Sequence, residues 1–292
     1  MAFALRPARP LAAELRHVLD GEIGGALGEL DGTPDEAAIH AARRHIKKAR
    51  AVLRLMDGDL QHRSLTRCDR ALRAAGQALS TWRDAAVLLR TIDALAGGRQ
   101  AKATARALQG LREIWQAPGT AAVDTGALQS ARHALQESRS VLTGHSFEAC
   151  DLDALTDGFA TTYRSGRRAL KRAAAEPSAD RLHALRKALK HHVYQLRLLQ
   201  PLWPGPLGAV HAQADHAAEL IGLHHDCAVL RSRLAGSALA VADKARIDAL
   251  AAGRQDSLAP AALGICRRLY AERAGSYRRR LAAYWNSALQ AD

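Results

Sequence analysis

The feature that most constrains the fold is an internal repeat, in which two halves of the chain match at an offset of about 143 residues. This offset aligns His40 with His183. Further pairs that share it are Pro34 with Pro177, Arg43 with Arg186, Ile46 with Leu189, Lys47 with Lys190, and Arg54 with Arg197. At nearly the same offset, the segment 84–88 aligns with the segment 226–230. The duplication predicts two structural repeats, residues 1–148 and residues 149–292, which together form one domain.

The hydrophobic pattern predicts that both repeats are helical. Apolar residues recur with the helical period, and no segment alternates as a β-strand does. Most apolar residues are Ala and Leu, which favour helices, and aromatic residues make up only 4% of the chain. Gly and Pro divide the pattern into roughly ten helices, about five in each repeat, with residues 201–208 as a loop. We therefore predict an all-α fold.

The first repeat contains a helix with one strongly cationic face, within residues 37–56. At about 100° per residue, five basic side chains fall within an arc of about 80°. They are His40, Arg43, Lys47, Arg50 and Arg54, and Arg44 and Lys48 widen the arc. The opposite face is apolar, so this helix is predicted to pack on one side and to present its cations on the other.

The second repeat contains a helix of the same kind. Its cationic stripe consists of His183, Arg186, Lys190 and Arg197, widened by Lys187 and His191, and Tyr194 lies within it. Neither stripe contains Asp or Glu. Because like charges one turn apart repel by a few tenths of a kcal/mol, two such stripes predict an anionic ligand. The first stripe is about 21 Å long, which favours a linear polyanion over a single phosphate.

The overall charge agrees with a polyanionic partner but does not identify it. The formal net charge is +13, so nucleic acid, an acidic membrane surface and polyphosphate are all candidates. No apolar run of about 18 residues predicts a membrane span, and we recognise no signal peptide. The cysteines (Cys68, Cys150, Cys227 and Cys266) form no CxxC pair, which argues against a zinc site or a disulfide framework. We therefore expect a cytoplasmic location.

These motifs together resemble the conserved-histidine α-helical domain (CHAD) family. The family's hallmark is a helix of the type His-x-x-Arg-basic-x-x-basic, which occurs here at His40–Lys48 and at His183–His191. The Arg83–Asp84 step before an apolar run, the segment Tyr163–Arg168 and the closing segment Tyr270–Trp285 are also similar to family motifs. The resemblance covers nearly the whole chain.

The resemblance implies two four-helix bundles related by a pseudo-twofold axis, with the basic helices facing each other across a central cleft or pore. It also implies that the protein binds inorganic polyphosphate in this cleft and associates with polyphosphate granules. Proteins of these granules would be possible partners. The ExExK signature of the catalytic domain fused to some members is absent, so we expect a stand-alone binding protein without catalytic activity or cofactor. The expected polyphosphate-binding residues are His40, Arg43, Arg44, Lys47, Lys48, Arg50, Arg54, Arg83, Arg164, Arg167, Arg168, Lys171, His183, Arg186, Lys187, Lys190, His191, Tyr194 and Arg197.

The residue types suggest how these side chains would act. Arginines would contact phosphate oxygens in a bidentate manner, and lysines would act as point charges. His40 and His183 would donate hydrogen bonds, more strongly when protonated. Asp84 and Asp226 would orient arginines of the cleft. The first helix lacks the basic cluster of residues 164–171, so the second half is expected to bind more strongly.

A regulatory scaffold that docks other proteins on granules is neither supported nor excluded by the sequence, and two further functions can be argued from particular residues. The first is nucleic-acid binding, although single strands usually require stacking aromatic residues and only Tyr194 lies on a basic stripe. The second is a metal-dependent phosphohydrolase that uses His225 and Asp226, with His211, His216 and His224 nearby in sequence. The first repeat argues against the second function because Arg83 stands where the second repeat has His225.

Overall fold

The computed structural model describes residues 3–57, 62–98, 100–116 and 124–291, except for the side chains of residues 81–86 and 291. Within these ranges the chain forms helices and no β-strand, which confirms the all-α prediction. The eleven described α-helices are α1 (Leu11–Glu29), α2 (Glu36–Met56), α3 (Arg63–Ala78), α4 (Thr81–Ala96), α5 (Lys102–Gln116), α6 (Thr125–Thr143), α7 (Leu152–Ala175), α8 (Ala179–Leu199), α9 (Pro204–Leu234), α10 (Val241–Leu269) and α11 (Ala274–Ala291). A short 3₁₀ helix, Gln200–Leu202, precedes α9.

The two basic helices, α2 and α8, begin in the same way. Asp35 caps α2 by accepting a hydrogen bond from the backbone N–H of Ala38 at 2.8 Å. Ser178 caps α8 by accepting one from Arg181 at 3.3 Å. A capping side chain satisfies a backbone donor that would otherwise lack a partner, and this fixes where the helix starts. His40 and His183 therefore occupy matching positions near the start of their helices.

The buried apolar residues form two separate clusters. The larger cluster contains residues from α1, α2, α3, α6, α7, α8 and α11, together with the first part of α9 and the last part of α10. The smaller cluster is built from α4, α5, the last part of α9 and the first part of α10. Because the larger cluster includes both Leu19 and Leu189, the two halves of the chain share a core. The division into two repeats stays a prediction.

The segment before α9 differs from its sequence-based prediction. Residues 201–208 were expected to form a loop, yet α9 begins at Pro204 and continues without interruption to Leu234. Proline is compatible with the first turn of a helix because the missing N–H has no partner there in any case. At the corresponding place in the first half, α3 and α4 are separate helices with Leu79 and Ser80 between them.

Helices α2, α7 and α8 are held together by close contacts. The side chain of Gln195 on α8 donates a buried hydrogen bond to the backbone carbonyl of Ala51 on α2 at 3.2 Å. It also donates to the hydroxyl of Thr162 on α7 at 3.1 Å. Gly158 on α7 lies against the backbone of α2, where an added Cβ would be 2.2 Å from the carbonyl oxygen of Leu55. These contacts place α2 directly beside α8.

Candidate anion-binding site

A small cavity lies where the basic faces of α2 and α8 meet. Its volume is about 140 Å³. It is lined by Lys47, Arg50, Arg186, Lys187, Lys190, His191 and Tyr194. All of these were expected site residues, and we call this space the basic cavity. Both helices contribute Lys or Arg side chains to the lining. Among the described residues, no Asp or Glu lines the cavity.

Carboxylates from neighbouring helices contact several of the site's cations. Asp69 on α3 accepts a hydrogen bond from Arg50 at 2.8 Å, and Asp215 on α9 accepts one from Lys190 at 2.9 Å. Glu22 on α1 ion-pairs with Lys48 at 3.3 Å. The expectation of uncompensated stripes was therefore wrong in part, because carboxylates absent from a basic helix can be supplied by the helices packed beside it.

Asp69 is the most strongly engaged of these carboxylates. Burial alone would raise its pKa, but the hydrogen bond from Arg50 and the charges of Arg54 and Arg73 lower the pKa below the usual range. Asp69 therefore remains ionised and fixes the position of the Arg50 guanidinium.

Two of the expected site histidines, His191 in the basic cavity and His183 near the start of α8, are not cations at neutral pH. Burial lowers the pKa of His191 to about 3, and the positive charges of Arg54 and Arg50 add to this effect. Burial also lowers the pKa of His183 to about 4, together with His225, Lys187 and Arg186. At neutral pH His183 would therefore donate a hydrogen bond from a neutral ring, and its role in binding stays a prediction. The ring of His183 packs against that of His225, with 4.3 Å between their centroids.

Arg43 and Arg186, which the sequence offset aligns with each other, each contact the backbone of a neighbouring helix. Arg43 donates to the carbonyl oxygen of Gly76 on α3 at 2.6 Å, and Arg186 donates to that of Ala218 on α9 at 3.4 Å. The two acceptors are separated by nearly the same offset as the two arginines. Arg186 lines the basic cavity, whereas Arg43 does not.

A second cavity of about 390 Å³ lies between α2, α4, α9 and α10. His40, Arg90, Arg254 and Asp226 contribute its polar lining, and Val87, Leu95 and Leu223 are among its apolar lining residues. The structure thus places His40 and the expected orienting residue Asp226 in the same cavity. The side chains of Arg83 and Asp84, for which similar roles were expected, lie outside the described residues.

Several other expected site residues do not line the basic cavity. Arg44 is exposed, Lys48 lies over the Phe3 ring at 4.8 Å, and Arg197 donates to the side chain of Gln200 at 2.6 Å. Arg54 lies 4.0 Å from Asp69. The α7 residues Arg164, Arg167, Arg168 and Lys171 do not reach the cavity either. Their assignment as polyphosphate-binding residues stays a prediction.

The histidines around residue 225 have separate surroundings. His216 lies 4.0 Å from Glu219, and the buried His224 accepts a hydrogen bond from Gln255 through its backbone carbonyl. His225 packs on His183. Among the described residues, no group of three or more His, Cys, Asp or Glu side chains could hold a metal ion. All four cysteines are buried and free.

Sequence reasoning missed several residues that shape the site. They are Asp69, Asp215, Glu22, Arg90 and Arg254, none of which belongs to a repeated motif in the sequence. The amphipathic pattern of their helices does not indicate which neighbouring helix these side chains face. The one available signal was the position of Asp69, four residues after Leu65 and three before Leu72, which places it on the apolar side of α3. An ionised side chain at a buried position needs a cationic partner.

We expect the stability of the protein to fall in mild acid because of His191 and His192. Burial lowers the pKa of each to about 3, whereas the unfolded chain protonates both near 6.5. Below pH 6.5 the unfolded state therefore binds more protons than the folded state. The stability that the protein has above pH 6.5 is lost as the pH falls toward 3. At about pH 5 the loss approaches about 2 kcal/mol for each histidine. Urea unfolding midpoints measured across this pH range should show the decline.

The variant His192→Leu isolates this effect, because it removes the titrating group from the aromatic cluster of Phe159 and Tyr163. Its stability should decline less with acid than that of the wild type. The exposed His216→Gln provides the matched control and should retain the full decline. An unchanged pH dependence in His192→Leu would show that His192 does not contribute.

Comparison with known proteins identifies the family. The sequence model of the CHAD domain matches residues 10–235. The chain therefore belongs to the CHAD family, which is linked to polyphosphate, and the resemblance seen in the sequence is confirmed.

A solved structure shares the fold. PptA from Streptomyces chartreusis matches with a TM-score of 0.58 and 17% sequence identity, over 90% of this chain and 100% of that chain. At this identity the likeness shows the common fold alone. No curated protein matches the sequence. Among the described helices, none has both the length and the apolar character needed to cross a bilayer.

Proposed function

We propose that this protein binds inorganic polyphosphate in the basic cavity between α2 and α8. The observation that carries the proposal is the convergence of five Lys and Arg side chains, from two helices, on one cavity. Membership of a family linked to polyphosphate supports the choice of this polyanion. A chain held there would be contacted from both sides, since Lys47 and Arg50 come from α2 and the other cations come from α8.

Three residues of the basic cavity would contact phosphate in different ways. Lys187 is exposed, so it can reach a phosphate without first leaving a buried partner. Arg50 is held by Asp69 and presents a pre-oriented guanidinium, which reduces the entropy lost on binding. Burial raises the pKa of Tyr194 to about 12, so its hydroxyl stays protonated and can donate to a phosphate oxygen.

We further infer that binding is not followed by catalysis and requires no cofactor. Granule association, with polyphosphate as the main partner, follows from the same proposal. A phosphate-release assay with added Mn²⁺ tests the phosphohydrolase alternative, and release that depends on His225 would contradict our proposal.

Binding should weaken steeply as salt is added. Each phosphate that contacts a cation releases condensed counterions, and for a flexible strand the logarithm of affinity falls with a slope of about −0.7 per contact. Four to five contacts give a slope of about −3, or about a 60-fold loss for a fourfold rise in salt. Fluorescence anisotropy of labelled long-chain polyphosphate measures this directly. An affinity independent of salt would contradict an electrostatic site.

A competition experiment distinguishes polyphosphate binding from nucleic-acid binding. The basic cavity offers one aromatic residue, Tyr194, and base stacking normally contributes much of the affinity for single strands. Polyphosphate should therefore displace labelled single-stranded DNA at equal phosphate concentration, while DNA should displace polyphosphate poorly. The reverse order would favour a nucleic-acid-binding protein.

A further inference from the structure

The C-terminal half of α7 carries a second basic surface. Its members are Arg164, Arg167, Arg168, Lys171 and Arg172, and we call this set the α7 outer surface. Four of them are exposed and Arg167 is half-buried. None of the five forms an ion pair with a carboxylate in the part of the chain that the structure describes.

The nearest carboxylates on this helix are already engaged elsewhere. Asp153 and Asp157 lie at the opposite end of α7, where both pair with Arg278 at 3.0 and 2.8 Å. Glu176, just beyond the helix, pairs with Arg181 at 2.7 Å. The α7 outer surface therefore differs from the basic cavity, where Asp69 and Asp215 contact the lining cations.

The outer surface points away from the basic cavity. On α7, the rings of Phe159 and Tyr163 pack on His192 of α8, and Arg164, Arg168 and Arg172 lie on the opposite face of the helix. On α8, His192 is in turn opposite to Lys187 and Lys190, which line the cavity. The α7–α8 pair, about 20 Å across at about 10 Å per helix, thus separates the two basic surfaces.

The composition of the outer surface indicates what it can bind. From Arg164 to Arg172 it extends about 12 Å along the helix axis, enough for several units of a linear polyanion. Its other exposed residues, such as Ser165 and Ala174, are small. It offers no aromatic side chain for base stacking and no bulky apolar side chain for insertion into a membrane. Recognition there would rest on phosphate charge alone.

We propose that the α7 outer surface is a second polyphosphate-binding site, independent of the basic cavity. This inference rests on the proposed function, because it assigns the same ligand to a separate surface. One protein molecule would then hold two strands, or two segments of one long strand, on opposite sides of the α7–α8 pair. Such a molecule would cross-link polyphosphate chains as well as bind them.

The first test is the stoichiometry of binding to a short polyphosphate that cannot span both surfaces. Isothermal titration should give two sites for the wild type. It should give one site for the outer variant Arg164→Glu/Arg168→Glu/Lys171→Glu and one for the cavity variant Lys47→Glu/Lys187→Glu. Circular dichroism and thermal unfolding establish that both variants fold. An outer variant that still binds two chains would overturn the inference.

The second test is cross-linking of long-chain polyphosphate, followed by light scattering. The wild type should produce large assemblies, whereas the outer variant should bind chains without assembling them. Undiminished assembly by the outer variant would overturn the inference, and so would an outer surface that binds vesicles of acidic phospholipid but not polyphosphate. If the outer variant lost all binding while the cavity variant lost none, the outer site would stand and the proposed function of the cavity would fail.

Discussion

The double variant Lys47→Glu/Lys187→Glu is expected to bind polyphosphate at the basic cavity about 100-fold more weakly than the wild type. It reverses one cation on each of the two helices that line the cavity. A hydrogen bond to a charged group contributes about 1.5 kcal/mol or more, and each new carboxylate also repels the phosphates. Titration with short polyphosphate at fixed ionic strength measures the loss for this site.

The control must change the net charge equally without touching the cavity. Lys102→Glu/Arg106→Glu does so, because both residues are exposed on α5 and neither lines the cavity. Each double variant lowers the formal net charge of +13 by four. The α5 variant should retain nearly all cavity binding. Equal losses in the two variants would show that total charge, and not this cavity, determines the affinity.

Gly158→Ala is expected to destabilise the protein by about 3 kcal/mol or more. The new Cβ would lie 2.2 Å from the carbonyl oxygen of Leu55 and 2.8 Å from that of Arg54. Both obstacles are backbone atoms of α2, so no side-chain rotation relieves the overlap, and α7 must move away from α2. Urea unfolding at neutral pH measures the loss of stability.

Gly253→Ala is the matched substitution. It lies inside α10, where an added Cβ meets no atom within 4 Å. Since Ala favours a helix interior over Gly, this change should be neutral or stabilising by up to about 1 kcal/mol. Similar losses in both variants would mean that Gly158 of α7 does not lie against the backbone of α2.

The basic helices show what the sequence was able to predict. The alternation of cationic and apolar faces in α2 and α8 depends only on helical geometry, so it could be read from residue spacing. The duplication then indicated that the two helices bind the same ligand with equivalent residues. The lining of the basic cavity by Lys47, Lys187 and Lys190 agrees with that interpretation.

The partners of these helices could not be predicted in the same way. Helical spacing gives the direction of a side chain within its own helix but not which neighbour lies in that direction. The pairing of Asp215 with Lys190 and the outward direction of Arg164 both depend on how α7, α8 and α9 pack. Gly158 is a similar case, because a single glycine within a helical pattern does not identify the backbone that approaches it.

The prolines before α9 were misinterpreted for a different reason. The predicted loop at residues 201–208 rests on Pro201, Pro204 and Pro206. A proline breaks a helix only beyond its first turn, and Pro204 occupies the start of α9. Sequence spacing alone did not establish whether these prolines precede a helix or interrupt one.

Binding at the basic cavity is tested most directly by a crystal structure of the protein with bound tripolyphosphate. We expect phosphate density in the basic cavity, within hydrogen-bonding distance of Lys47 from α2 and of Lys187 and Lys190 from α8. Well-ordered tripolyphosphate found elsewhere, with this cavity occupied only by water, would contradict the claim that the two basic helices form one anion-binding site.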